Sequence, residues 1–355
     1  MSDDLEEWAK EEQESATVDI PALRKLLMRS SGISLEDIAD KFGCTKGTAL
    51  DACEQLKASG ANIHELGGKY TIEKHPAPKP ESEIHRLQSD KNGVYRFGLI
   101  SDTHYGSKYA REDLCERLYD WFGAEGIKSV YHCGNWVDGE ASFNKFDLIP
   151  EAHGMQAQLD YFVARYPARK GITTFYVAGD DHEGWWVQRE GIEIGEALEN
   201  TAHRAGRNDL VYLGYKEAFI TLTHKVSGAR ARMLVDHPGG GTAYATSYSA
   251  QKRVEGLQGG EKPAVWCFGH WHKAGYFRPR NVHVILVPCT KDLDPWGRKK
   301  GLEYHLGGIV VELHQDAETG AIVRCLPNFE LCFDRGYYNQ QYSPHGRIEK
   351  REAPE

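Results

Sequence analysis

Short motifs rich in His and Asp recur between residues 102 and 272 of this 355-residue chain. Each follows a short apolar, β-branched or aromatic run, such as FGLI before the first motif and VWCF before the last. Such runs predict strands. Strand ends that bring carboxylate, amide and imidazole groups together can build a two-metal site. The motifs are Asp102-Thr-His104, Gly134-Asn135, Asp180-Asp181-His182-Glu183, His237 and Gly269-His270-Trp-His272.

The size and composition of the chain indicate a globular protein. Its mass of 40.0 kDa allows one large domain and one small domain. No apolar run approaches the roughly 20 residues of a membrane span, so we expect no membrane partner. Eight Cys without a CxxC pair are typical of a reduced compartment, and we expect a cytoplasmic location.

The net charge of −9 is unevenly distributed. Residues 1–17 hold seven acids and one Lys, and we expect them to form an acidic, disordered leader. The remaining residues carry a net charge of only −3, so the balance does not exclude a phosphate-bearing substrate.

Residues 18–73 have the pattern of a small separate domain. Asp19, Ser34 and Thr45 each begin a stretch with helical spacing of apolar residues, which predicts three helices. Gly67-Gly68 then separates two short strand-like runs, which predicts a hairpin. This order resembles a winged helix-turn-helix domain, the first of the two domains that we predict.

A winged helix-turn-helix commonly binds DNA through the start of its third helix, which here would present Thr45, Lys46 and Thr48. Residues 18–75 contain eight acids and eight bases, whereas a dedicated DNA-binding domain usually has a basic stripe. In spite of this neutral charge we expect DNA contact through the third helix, with binding to a protein or to the chain's own second domain as the alternative.

The rest of the chain divides by composition. Residues 74–92 are rich in proline and charge, and we predict a linker there. Residues 93–335 alternate short apolar runs with amphipathic stretches, which predicts an α/β (α+β) domain. Residues 336–355 are polar, and we predict a flexible tail.

The ordered motifs resemble the calcineurin-like metallophosphoesterase family over roughly residues 94–335. The sequences SDTH and GHWH, in that order and at that separation, are the most specific part of this resemblance. It implies a two-sheet β-sandwich flanked by helices and a hydrolase that acts on phosphate esters. SDTHYGSKY and HPGGGTAYATSYSAQK resemble bacteriophage-encoded members that carry an N-terminal winged helix, which implies phage DNA metabolism and the host cell cytoplasm.

The resemblance implies two divalent ions, with Mn favoured and Fe, Zn or Mg as alternatives. Together they would activate water for in-line attack on phosphorus. His182 would protonate the leaving oxygen, with Glu183 or Asp181 orienting its ring. The implied ligands are Asp102, His104 and His272 for one ion, His237 and His270 for the other, and residue 135 between them.

Two motifs depart from the family pattern. The motif Gly179-Asp180-Asp181-His182-Glu183 is one residue longer than the Gly-Asn-His-Asp of the family. Either Asp181 or Asp180 therefore takes the ligand role of the Asn. We favour Asp181 because it adjoins His182. Asn135 occupies the position of a bridging Asp, and a neutral amide bridges two cations poorly. Either Asp181 compensates for the lost charge, or Asn135 is a substitution that quietens the enzyme. We favour the second explanation.

Several other residues have an open role. Asp138 is a candidate for hydrogen bonding to a ligand His, or a turn residue. Trp185 and Trp186 could stack on a base or serve as packing. We expect His153 on a helix surface, with a position that faces the site as the alternative. The basic residues Arg298, Lys299 and Lys300 could hold a DNA backbone, with a solvated surface as the alternative.

These patterns together predict a two-metal phosphodiesterase that cuts nucleic acid, and more specifically a DNA nuclease. One alternative is a phosphoprotein phosphatase or small-molecule phosphodiesterase, because the same chemistry serves each of these substrates. The other is a catalytically degenerate DNA-binding protein. Four retained histidines argue against the degenerate protein: His182, His237, His270 and His272.

Overall fold

A computed structural model describes residues 17–72, 85–144, 146–241, 243–258, 260 and 262–333. Apart from Thr17, the predicted leader lies outside these residues, as do residues 74–84 of the predicted linker and the whole predicted tail. The chain divides into two compact units. Within the described residues, the first unit contains 17–72 and Gly184–Ala197, and the second contains the remainder.

Three capped helices form the first unit. Asp19 caps the first, whose second residue is Pro21, and the side chains of Ser34 and Thr45 accept a backbone N–H at the start of the next two. Gly43 ends the second helix in the left-handed region, with φ of 64°. All three predicted helix starts are confirmed. The helices are α1 (Ile20–Arg29), α2 (Leu35–Phe42) and α3 (Lys46–Ala58).

The predicted hairpin is also present in the first unit. Strands β2 (Ile63–Leu66) and β3 (Lys69–Ile72) pair antiparallel across Gly67-Gly68, and the short strand β1 (Ile33–Ser34) pairs with β3. The apolar faces of the helices and β3 enclose a small core. The identification of this unit as a winged helix-turn-helix stays a prediction.

Gly184–Ala197 packs with the first unit, although the sequence places it inside 93–335. Its helix α6 (Gly184–Glu190) pairs Glu190 with Arg24 at 3.1 Å. Ile192 forms a β-bridge with Ala61. No change in composition marks this segment, so the sequence pattern could not separate it from its neighbours.

The second unit contains strands and helices that alternate along most of its length. Helix α7 (Ile194–Arg204) spans the boundary between the units. The other helices are α4 (Glu112–Ala124), α5 (Met155–Arg165), α8 (Tyr248–Gly256) and α9 (Pro295–Lys300). The strands are β4 (Arg86–Gln88), β5 (Val94–Ile100), β6 (Ser129–His132), β7 (Thr173–Ala178), β8 (Leu210–Tyr215), β9 (Glu217–Thr223), β10 (Arg230–Asp236), β11 (Val265–Phe268), β12 (Gly275–Phe277), β13 (His283–Leu286), β14 (Leu306–Gln315) and β15 (Ile322–Cys332).

These strands form two mixed sheets. The first has the order β15-β14-β5-β6-β7-β8, with β5 to β8 parallel. The second has the order β12-β13-β11-β10-β9-β4, with β10, β11 and β13 parallel. Parallel strands place their carboxyl ends at one edge of a sheet, where polar loops can converge.

The main core lies between the two sheets. Alternate residues of β5, namely Tyr95, Phe97 and Leu99, are buried in one cluster with Met233 and Val235 of β10. This period of two is the pattern expected of strands that turn one face toward a core. The predicted α/β (α+β) class and the two-sheet β-sandwich flanked by helices are therefore confirmed.

Candidate metal centre

The sequence motifs meet at the carboxyl ends of the parallel strands of both sheets. Asp102 and His104 follow β5, Asn135 follows β6, and Asp181 follows β7. His237 follows β10 directly, and His270 and His272 follow β11. Strand ends from both sheets thus deliver imidazole and carboxylate groups to one region.

The first ligand group consists of Asp102, His104 and His272, all buried. Oδ1 of Asp102 lies 3.2 Å from Nε2 of His272 and 3.9 Å from Nε2 of His104. Oδ2 of Asp102 accepts the Ser101 hydroxyl at 2.5 Å and the His270 N–H at 2.9 Å. One carboxylate oxygen is thus fixed by the protein, and the other faces the two rings.

The second ligand group consists of Asp181, His237 and His270. Oδ1 of Asp181 lies 3.5 Å from Nε2 of His237, and Oδ2 lies 3.4 Å from Nδ1 of His270. Asp180 instead forms a 2.8 Å ion pair with Lys216. Of the two carboxylates that the sequence left as candidates, the structure places Asp181 with the histidines.

Asn135 is buried beside the second ligand group. A Cβ added to Gly179 would lie 2.3 Å from Asn135 Oδ1 and 3.0 Å from His237 Nε2. The backbone N–H of Asn135 donates to Oε1 of Glu183 at 2.9 Å, and its side-chain Oδ1 has no hydrogen-bond partner among the described residues. Asn135 lines one cavity together with Asp181, His270 and His272.

The donor atoms of both groups fit divalent metal ions. Buried polar atoms normally have hydrogen-bond partners, so a set of unpartnered atoms requires an explanation, and a bound ion is one. The mixture of nitrogen and oxygen donors suits Mn, Fe or Zn better than Ca. Among the described residues, the buried atoms without a hydrogen-bond partner include Asp102 Oδ1, Asn135 Oδ1, Asp181 Oδ1, His237 Nε2 and His270 Nδ1.

The electrostatics of the site favour positive charge. Burial acts to lower the pKa of His237, but Asp181 and Asp102 outweigh it and raise this pKa to about 10. Burial acts to raise the pKa of Asp181, but the imidazoles of His182 and His237 hold it well below its usual range. A cation placed among these groups would therefore be stabilised by the same carboxylates.

The backbone is strained at the ligands. A non-glycine residue with positive φ is uncommon, and such residues concentrate at functional sites because the surrounding structure must hold them there. Five residues of the candidate centre have this conformation, with φ between 49° and 72°: Asp102, His104, Asn135, His270 and His272.

Oxygen atoms orient three of the ligand rings through the nitrogen that faces away from the metal site. Nδ1 of His104 lies 2.9 Å from Oδ1 of Asp138. Nδ1 of His237 lies 2.6 Å from the Cys133 carbonyl oxygen, and Nε2 of His270 lies 2.7 Å from that of Gly240. Such contacts fix the tautomer and the ring orientation of a metal-binding histidine. Asp138 therefore contacts a ligand His, the first of its two predicted roles.

His182 adjoins the first ligand group, and its ring lies 4.3 Å from that of His104, centroid to centroid. Its Nδ1 lies 2.6 Å from the Asp138 carbonyl oxygen. The expectation that Glu183 or Asp181 orients this ring is therefore wrong. Glu183 turns instead to the backbone and accepts the N–H groups of Gly179 and Asn135 at 2.6 and 2.9 Å, and burial raises its pKa to about 8.

Lys291 is a buried residue of the site that the sequence analysis missed. Its Nζ lies 3.3 Å from Asp138 Oδ1 and 2.9 Å from Asp294 Oδ2. Burial acts to lower the pKa of Lys291, but these two carboxylates outweigh it and raise the pKa. Asp294 and Pro295 give a visible helix-cap signal, but nothing in the sequence shows that Lys291 is buried.

Other candidate residues lie outside the ligand groups. His153 is exposed beside Glu140, as expected. Trp186 is buried, which supports packing, and Trp185 lies under Arg189 at 4.5 Å. Both tryptophans belong to the first unit.

The DNA-binding candidates fall in two places. The hydroxyls of Thr45 and Thr48 lie 2.9 Å apart at the start of α3, and Lys46 pairs with Glu36. The exposed face of α3 also carries Asp51 and Glu54, whose negative charges would repel a phosphate backbone. In the second unit, Arg298, Lys299 and Lys300 are exposed at the end of α9.

The cavity over the metal centre has a volume of about 590 Å³. Lys300 and two half-exposed aromatic residues, Phe143 and Trp296, line it. The Phe143 ring lies 5.5 Å from the His182 ring. A cation and two aromatic surfaces beside a metal centre can contact both the phosphates and the bases of a nucleic acid.

No protein-family model matches this chain, and no curated protein matches it. Among solved structures, it is similar to an archaeal phosphodiesterase at 13% identity, with 66% of this chain and 100% of that chain covered and a TM-score of 0.35. A predicted phosphoesterase of Streptococcus pneumoniae shares 13% identity over 67% of this chain and 98% of that one, with a TM-score of 0.29. Vps29 of Entamoeba histolytica, solved with zinc, shares 10% identity over 66% and 99%, with a TM-score of 0.29. Similarity this low does not assign a function to this chain.

The described residues contain no helix that is long and apolar enough to span a membrane.

Proposed function

We propose that this chain is a calcineurin-like metallophosphoesterase that hydrolyses phosphodiesters in nucleic acid, and that it acts as a DNA nuclease. The observation that carries the proposal is the pair of ligand groups, each with one carboxylate and two imidazoles whose donor atoms lie within 4.8 Å of one another. Their unpartnered atoms and strained backbone support a site built for metal ions.

Two divalent ions, of which Mn is favoured, would polarise the phosphate and supply an activated water for attack on phosphorus. The first ligand group and the second would each hold one ion, with the Asn135 amide beside them. Because Asn135 is neutral, Asp102 and Asp181 are the carboxylates that offset the charge of the two ions.

His182 is the proposed general acid. The Asp138 carbonyl oxygen lies 2.6 Å from its Nδ1, so a protonated ring would donate there and present its Nε2–H to the leaving oxygen. As the P–O bond breaks, the proton moves from His182 to that oxygen. Lys291 contacts the Asp138 carboxylate at Oδ1 and so helps to hold this residue in place.

The residues at the rim of the cavity support the proposal that the substrate is a nucleic acid. Phe143 and Trp296 are about half exposed, so they offer stacking surfaces for bases, and Lys300 offers a contact for phosphate. A phosphoprotein or a small diester would need no stacking surface. The role in bacteriophage DNA metabolism, in the host cell cytoplasm, rests on the sequence resemblance alone.

The test is Mn-dependent cleavage of labelled single- and double-stranded DNA, with a phosphopeptide and bis(p-nitrophenyl) phosphate as competing substrate classes. The chain with Asn135 and its Asn135→Asp variant are compared, and bound metal is counted in both. Cleavage of DNA, with about two ions per chain, is the expected result. Hydrolysis of the phosphopeptide or small diester without DNA cleavage would reject the nuclease, and near-zero metal in both proteins would favour a degenerate binding protein.

A further inference from the structure

A basic groove lies at the end of the second sheet opposite to the metal centre. It has a volume of about 580 Å³ and is formed where β10, β11 and β13 begin, next to the turn between β14 and β15. Thr319 and Asn281 add neutral polar groups to its lining. The groove is defined by four cationic residues: Arg230, Arg232, Lys262 and Arg280.

Among the described residues that line the basic groove, four are cationic and none is an Asp or Glu, so this part of the lining carries a net positive charge. The contacts of Arg232 are with neutral groups: its Nη2 donates to the Gly260 carbonyl at 2.5 Å, and its guanidinium lies 5.1 Å from the Phe219 ring centroid. Asp316, in the adjoining turn, accepts the N–H and O–H of Thr319 within that turn. Elsewhere in this unit arginines at the surface pair with carboxylates: the exposed Arg96 with Glu125, the exposed Arg165 with Glu112, and the partly buried Arg169 with Asp120.

The backbone holds the basic groove in shape. Arg280 and Asn281 both have positive φ, at 47° and 66°, which non-glycine residues adopt only where the structure forces them. Gly320, with φ of 74°, lets the β14–β15 turn approach β10, because a Cβ there would lie 2.8 Å from the Arg230 carbonyl oxygen. Arg230 and Arg232 are therefore held on strand β10, and Arg280 is held on a turn of fixed conformation.

The lining indicates what kind of ligand the basic groove binds. Several exposed cations with small polar neighbours suit the phosphates of a polyanion. No aromatic residue is present among the described residues of the lining, so bases would have no stacking surface. The groove therefore differs from the cavity over the metal centre, which has both aromatic rings and a cation.

We infer that the basic groove binds the phosphate backbone of the nucleic acid that is cut at the metal centre. This inference rests on the proposed function for the identity of the ligand. Strand β10 runs from Arg230 in the groove to Asp236, next to His237, and six residue steps of a strand span about 20 Å. Only a substrate longer than about six base pairs can occupy both places, at 3.4 Å per step.

The experiment measures binding of a labelled 30-base-pair duplex to the full chain in EDTA at several salt concentrations. Arg230→Ala/Arg280→Ala is compared with wild type and with Arg165→Ala/Arg96→Ala, which removes the same charge from other surfaces. We expect the groove variant to bind about tenfold or more weakly, with a salt slope smaller by about two, because each lost phosphate contact lowers the slope by about one. Thermal unfolding of each variant verifies that it is folded.

Hydrolysis of bis(p-nitrophenyl) phosphate separates the two proposals. This diester is too small to reach the basic groove, so its turnover should be equal in wild type and the groove variant. If neither protein hydrolyses any diester, the proposed function fails, whereas the binding result still decides the groove. Equal duplex binding by wild type and the groove variant would overturn the inference, as would competition by polyglutamate that is as strong as competition by DNA.

Discussion

The two ligand groups have the same composition, one carboxylate and two histidines, but the protein supports them differently. The first is fully buried, and the Asp138 carboxylate orients His104. In the second, the Asp181 side chain is 35% exposed, and backbone carbonyls orient both rings. A carboxylate makes a ligand imidazole more basic than a carbonyl does, so the first group should hold its ion more tightly.

The largest effect is expected at His182, which lies with His104 and Asp138 in a third set of possible metal-binding atoms. If His182 is the acid rather than a ligand, His182→Gln should lower kcat on DNA about 10²- to 10⁴-fold and leave both ions bound. His153→Gln, at an exposed histidine, is the matched control and should change neither value. Loss of an ion from the His182 variant would instead make His182 part of a metal site.

The comparison between the groups is tested most directly at Asp138. Asp138→Asn keeps the shape of the side chain but removes the charge beside His104 Nδ1 and Lys291 Nζ. We expect the affinity for one of the two ions to fall about 10- to 100-fold, as for other groups that orient metal ligands. Mn titration followed by calorimetry measures both sites. An equal loss of affinity for both ions would show that the two ligand groups are not held in place independently.

Asn135 bears on both groups under the proposed function, in which it takes the position of a bridging carboxylate. Asn135→Asp adds one negative charge and should raise turnover at saturating Mn on the order of tenfold, which corresponds to about 1.4 kcal/mol of barrier. If only the Asp form cuts DNA, residue 135 is an inactivating substitution. Equal activity in both forms would favour compensation by Asp181.

Much of the fold could be predicted because its signals are local. The helix caps at Asp19, Ser34 and Thr45 act within one turn of chain, and the strand that ends at Ile100 finishes on the short apolar run FGLI. The positions of Asp102 and His104 after that run follow from the same pattern.

The support of the site could not be predicted, because it joins residues distant in sequence. Lys291 meets Asp138 across 153 positions, and Glu183 holds the N–H of Asn135 across 48. The attachment of Gly184–Ala197 to the first unit is of the same kind, since its contacts include residues 24, 60, 61 and 62. Side chains that meet only after folding leave no periodic pattern in the sequence.

Close packing at Gly179 is another such feature, and its expected effect is on stability and metal affinity rather than on turnover. A Cβ there would lie 2.3 Å from Asn135 Oδ1 and 2.9 Å from His237 Cδ2. Gly179→Ala should therefore lower the free energy of unfolding by about 1–3 kcal/mol and lower the affinity of the second ligand group for its ion. Gly123→Ala is the matched control, because its Cβ meets nothing within 4 Å on helix α4, and it should stabilise by up to about 1 kcal/mol. Urea unfolding and Mn titration measure both effects. If Gly179→Ala instead lowered the affinity of the first ligand group for its ion, the same packing would support both groups. Their difference in burial would then not produce a difference in affinity.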